Sequence, residues 1–130
     1  MPATWEFRGS VLVVTLAGKC KEEATTAINE AMADPAFKPG TSLLLDVRRA
    51  TDPTPDELRR RAKSLGSRPA KGLSSRCAIG VGPKAHQFGL GRMAAIYSDS
   101  YGMQVEIFTD LDEAICWLES TAAAGAAAAP

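Results

Sequence analysis

Between Val105 and Leu118 the chain passes from strand to helix with hardly a residue to spare, and this junction narrows what it can fold into. Val105, Ile107 and Phe108 are apolar strand formers, and Asp110 is placed to accept from the first free helical amides. Leu111, Ala114, Ile115 and Leu118 then recur at one-face helical spacing. A strand delivered straight into a capped helix is the signature of an α/β fold. With 130 residues there is room for one domain and a genuine core without disulfides or metal.

The same grammar recurs upstream. Trp5 to Arg8 and Val11 to Ala17 are expected to be strands joined at Gly9-Ser10 as an antiparallel hairpin, and the unbroken run Val11-Leu12-Val13-Val14 suits a strand covered on both faces. Ala24, Ala27, Ile28, Ala31 and Met32 mark an amphipathic helix ending before Asp34-Pro35. Leu43 to Val47 is the third strand, and Arg48 to Asp52 is expected to leave it as a polar loop. Thr54, Pro55 and Glu57 form a capping-box helix start, after which Leu58, Ala62 and Leu65 face inward. Cys77 to Val81 is a fourth strand, and Leu90, Met93, Ala94 and Tyr97 form the apolar stripe of a third helix. The expected order is β, β, α, β, α, β, α, β, α: a five-stranded, mostly parallel sheet with an antiparallel first edge strand and about four helices. The folded domain is expected over residues 1–120. Thr121 to Pro130, nearly all alanine, is expected to be an unpacked, disordered tail.

This winding resembles the SpoIIAA-like proteins of the STAS superfamily, whose β-α superhelical fold is related to that of CRAL-TRIO lipid-binding domains. The residues that carry the resemblance are the third-strand Leu43-Leu44-Leu45-Asp46-Val47-Arg48, the Phe88-Gly89-Leu90-Gly91-Arg92-Met93 opening of the third helix, and the Phe108-x-Asp-x-Asp-Glu-Ala-x-x-Trp-Leu ending. The resemblance spans roughly residues 4 to 119 and implies a bacterial regulatory or binding module. Anti-sigma-factor antagonists of that superfamily carry a phosphorylatable serine at the start of the helix after the third strand. Here that region reads Arg49-Ala50-Thr51-Asp52-Pro53-Thr54-Pro55-Asp56, without the motif, and Thr51 and Thr54 are the nearest phosphoacceptors.

Charge and thiol content set the remaining bounds. Fifteen basic and fifteen acidic residues cancel, so no global field points to nucleic acid or a membrane surface. Arg48 to Arg76 nevertheless holds nine basic against three acidic residues, a local excess of six that the rest of the chain balances. No aromatic residue interleaves with those cations, which argues against nucleic acid. Three cysteines with no C-x-x-C spacing suit a reducing compartment, and cytoplasm is expected; no apolar run is long enough to span a bilayer, so an integral membrane protein is not. Cys77 and Cys116 are expected to be buried, and Cys20, between Lys19 and Lys21, to be mildly reactive.

Candidate site residues collect at the carboxyl ends of the parallel strands, where α/β folds place ligands. They are Asp46, Arg48, Thr51, Thr54, Lys84 and the single histidine, His86, with Lys19 on the same rim. Gly80-x-Gly82-x-x-Ala85 meets the loose dinucleotide fingerprint, but Pro83 removes an amide from the donating loop, so close packing at a strand exit is preferred. No zinc spacing or nucleophile elbow is present, and neither a metal nor a cofactor is expected. The preferred expectation is a non-enzymatic module that recognises a protein partner or a small lipid-like or anionic ligand. The competing ones are an enzyme using Asp46, Arg48 and His86, and a phosphorylation switch at Thr51 or Thr54. The exposed first strand offers an edge for pairing into a homodimer.

Overall fold

In a computed structural model, which describes residues 2–20 and 22–128 and side chains only as far as Ser120, five strands form one sheet. The elements are β1 (Ala3–Arg8), β2 (Val11–Gly18), α1 (Glu23–Ala33), β3 (Ser42–Ala50), α2 (Pro55–Gly66), β4 (Arg76–Gly80), α3 (Ala85–Asp99), β5 (Gln104–Phe108) and α4 (Leu111–Ala128). Strand order follows chain order, with β1 antiparallel to β2 and all other pairs parallel. This is the expected α/β architecture. Three successive crossovers that all advance in the same direction, each right-handed, put their helices on one face of the sheet. α1, α2 and α3 therefore share a face, and α4, which follows the last strand, turns back to cover the other.

Burial confirms two layers. Leu12, Val14, Leu43 and Cys77 point to the three-helix face, where they meet Ala24, Ala27 and Ile28 of α1 and Leu65 of α2. Val11, Val13, Leu44 and Ala78 point the other way, onto Ala114 and Leu118 of α4, with Leu111 and Ile115 packed beside them. Val11 to Val14 are all at most 3% exposed, as expected of a strand covered on both faces. Asp110 Oδ1 accepts from the amides of Asp112 and Glu113 at 2.8 and 3.2 Å, so the opening junction is capped as its residues dictate. Trp117 packs against Phe108 with ring centroids 5.6 Å apart.

Four expectations are corrected. Arg48 to Ala50 is strand and not exit loop: β2 carries a register shift between Thr15 and Ala17 and then pairs Ala17 with Arg49 and Gly18 with Ala50. Polar side chains do not end a strand whose neighbour still offers amides and carbonyls. Cys116 is exposed on the outer side of α4, whereas Cys20 is buried, its thiol turned toward the carbonyls of Pro2 and Ala17. The apolar stripe of α3 is only half-buried, and its deepest residues are Gly91 and Ser98, because small side chains let the helix sit close to Ile107 of β5. Cys77 is buried as expected, and desolvation pushes its thiol up to about 12.

In backbone, α4 continues through the alanine-rich segment to Ala128. The expectation that residues 121–130 do not pack concerns side chains outside the described residues. No helix among the described residues is long and apolar enough to cross a membrane.

Candidate functional site

The rim is assembled by the carboxyl ends of β3 and β4. β4 stops at Gly80, opposite Asp46, while β3 runs on to Ala50 beside the end of β2. That overhang is one wall. The other is the loop from Gly82 to Lys84 with the first turn of α3. Between them lies a cleft of about 370 Å³ bordered by Arg48, Arg49, Thr51, Asp52, Lys84 and His86. Four of the six expected site residues, Arg48, Thr51, Lys84 and His86, thus border one cleft. Asp46 and Thr54 do not line it, and neither does Lys19.

Asp46 acts through Arg48. Its side chain is 8% exposed, and its carboxylate receives Arg48 Nε and Nη2 at 2.9 Å each and the Arg48 amide at 3.2 Å. This two-pronged pair holds the guanidinium against the strand end and raises the Arg48 pKa, chiefly through the Asp46 hydrogen bonds. His86 pairs elsewhere: its Nε2 stands 3.0 Å from Asp52 Oδ2. The acid–base pair Asp46 and His86 anticipated for an enzyme is therefore divided between two different partners. Asp52 and Gln87 are the rim residues that the sequence alone did not single out. Gln87 latches the cleft, with Oε1 accepting from the Gly82 amide at 2.7 Å and Nε2 reaching the Val47 and Arg48 carbonyls at 3.5 and 3.4 Å. The legible hint was its place in the first turn of α3, five residues past Gly82.

Thr54 has a structural role. Its hydroxyl accepts from the Glu57 amide and its own amide donates to Glu57 Oε1, each at 3.2 Å, closing the expected capping box. Hydrogen bonding to the carboxyl by the Thr54 amide, and next by the Thr54 hydroxyl, holds Glu57 below its ordinary value. A carboxyl depressed on folding contributes stability above its unfolded value, near 4.5, and loses it as the pH falls through the folded value. The first turn of α2 is therefore expected to loosen in acid. Protection of the Glu57 and Leu58 amides, corrected for the intrinsic pH dependence of exchange, should fall below that pH in the wild type, while Glu57→Gln should give a flat protection profile.

The basic stretch is not one continuous face. Arg61 donates to the Cys20 carbonyl at 2.6 Å, and Arg59 pairs with Asp56 at 2.9 Å while lying over the Tyr97 ring at 5.2 Å. Arg68 turns inward. Gly80 of the loose dinucleotide motif lies inside β4, where an added Cβ would run into Leu111 of α4, so the motif serves packing.

Beneath the rim, between the sheet and α1, α2 and α3, lies a second cavity of about 100 Å³. Leu45, Val47, Ile79, Leu58, Leu90 and Val105 give it apolar walls. It shares Ala50, Thr51, Asp52 and Gln87 with the cleft above. Among the described residues, no three His, Cys, Asp or Glu side chains converge to hold a metal.

A solved structure decides what this architecture is. An uncharacterized protein from the DUF3478 family with a SpoIIAA-like fold, from Shewanella loihica PV-4, superposes with a TM-score of 0.58 over 89% of this chain and 91% of its own, at 20% identity. The fold is SpoIIAA-like. No family model and no curated protein matches the chain. The SpoIIAA-like resemblance in the third strand and the closing helix thus holds at the level of fold, and function rests on the cleft and the cavity.

Proposed function

We propose that this SpoIIAA-like chain is a non-catalytic binding module that takes a small ligand with an apolar body into the cavity under α2 and α3, with the cationic rim as its mouth. The observation that carries this is continuity: the apolar cavity and the polar cleft share a wall of four residues. Unfilled apolar walls forgo dispersion contacts, and an occupant restores them. Gln87 is part of both linings and bridges the strand ends, so it is suited to govern passage between them. A non-catalytic role is favoured because Asp46 is already committed to Arg48 and His86 to Asp52.

The test is a titration with 1-butanol, an apolar probe of suitable size, followed by amide and methyl NMR. Shifts are expected to concentrate at Leu45, Ile79, Leu90 and Val105. They should vanish in Ala94→Leu, which places three extra carbons in the cavity. Shifts scattered over the surface, or unchanged in that variant, would refute the proposal. Native mass spectrometry of freshly purified protein gives the second readout, with a retained small molecule expected and a partner protein in its place counting against it.

A further inference from the structure

We propose that the inner end of this cavity is a carboxylate site built on Arg68, so that the ligand is a small apolar monocarboxylate held head-inward. The inference rests on the cavity being a binding site, as argued above, and adds the chemistry of the occupant. Arg68 sits in the turn after α2 and is 4% exposed, although it carries a full charge. Its Nη1 donates to Asn29 Oδ1 and approaches Met32 Sδ at 3.8 Å, both on α1. Its Nε is enclosed and has no hydrogen-bond partner. Among the described residues no carboxylate lies within ion-pair distance of it. Burial lowers its pKa, with no neighbouring charge to oppose the shift. An arginine does not discharge by losing its proton, so the cost of a buried, unbalanced cation stays in the fold until an anion arrives.

Geometry narrows the anion. In a guanidinium, Nε–H and Nη2–H share one edge and Nη1 lies on the other side, so Asn29 leaves the Nε edge without a partner. That edge matches the two oxygens of a carboxylate. The neutral Asn29 amide satisfies one donor without offsetting charge, which only an anion does. A dianion such as phosphate would need a second cation. Arg61, which also borders the cavity, is instead held on the Cys20 carbonyl.

Placement and size complete the case. α2 runs from Pro55 to Gly66, about 18 Å at ~1.5 Å per residue, and Arg68 follows its far end. Arg68 lines the cavity but not the cleft that holds the rim cations. A cavity of about 150 Å³ holds benzene, so the ~100 Å³ found here admits an apolar chain of about four carbons. A diacyl lipid does not fit.

Butyrate and 1-butanol share a chain and differ in the head, and they form the test. By NMR or calorimetric titration, wild-type protein is expected to bind butyrate about tenfold or more tightly than 1-butanol, as charge-assisted bonds to an enclosed donor require. Arg68→Met should abolish that preference while leaving 1-butanol binding in place. Should Arg68→Met fail to fold, the wild-type Arg68 Nε–H resonance decides: butyrate is expected to shift it downfield, and 1-butanol is not. Equal binding of the two probes would overturn the carboxylate site and leave the cavity as an apolar one. Loss of the preference in Arg48→Gln or Lys84→Gln, with the Arg68 signal unmoved, would place the head at the rim and also overturn it. Binding of neither probe would overturn both the site and the function it rests on.

Discussion

Leu44→Ala is expected to lower the unfolding free energy by about 2–5 kcal/mol, the range for truncating a fully buried leucine. Leu44 is 0% exposed in the middle of β3. It is flanked in register by Val13 of β2 and Ala78 of β4 and faces Ala114 and Leu118 of α4. Two of these neighbours, Val13 and Ala78, lie on strands whose backbones are fixed by the ladder, and two, Ala78 and Ala114, are alanines with nothing to extend into the space. The site cannot collapse, so the cost belongs near the upper end. A domain of this size holds only about 5–15 kcal/mol in total, and the variant should melt roughly 10 °C or more below wild type. Calorimetry checks it; a loss below about 1 kcal/mol would mean that the α4 layer is loosely packed.

Gly80→Ala carries the second large effect. Gly80 pairs with Asp46 on one side and Phe108 on the other, and an added methyl would collide with the Leu111 side chain at the start of α4. Overpacking of this kind costs about 1–3 kcal/mol. Replacing glycine in a strand returns about 0.5–1 kcal/mol of backbone entropy, so the net destabilisation should be between about 0 and 2.5 kcal/mol, smaller the more readily the end of the Leu111 side chain turns aside. The same substitution in a Leu111→Ala background has room for its methyl and should be close to neutral. Denaturant titration of the four proteins gives the coupling directly. Additive effects would show that the two side chains do not compete for space.

Element order, the antiparallel first strand and the capping residues Thr54 and Asp110 were legible in the sequence because each is a local signal: a hairpin link, a helical spacing, a polar residue ahead of an apolar run. The two ends of the cavity were legible to different degrees. The rim could be anticipated because strand carboxyl ends are a general place for ligands, and Arg48, Thr51, Lys84 and His86 do border one cleft. The partner choices there could not, since His86 and Asp52 lie far apart in the chain and meet only through the turn of α3 against the β3 overhang. Arg68 was invisible for a stronger reason. In sequence it is one more cation in a basic run, and only the packing of α1 against the turn after α2 brings Asn29 to it, 39 residues away, and closes the solvent out. Cys116 shows the reverse failure: an apolar neighbourhood in the chain was mistaken for burial, although its own position on α4 faces outward.

Because strand order equals chain order, the sheet can be built as the polypeptide leaves the ribosome, each new strand adding to an edge that already exists. The β1–β2 hairpin closes first, and no early strand waits for a distant partner. One surface is the exception. Val11, Val13, Leu44 and Ala78 stay open to water until α4, which follows all five strands in the chain, arrives to cover them. A released chain truncated before Leu111 should thus display a single sticky face, the one a chaperone would grip, while the three-helix side is already closed.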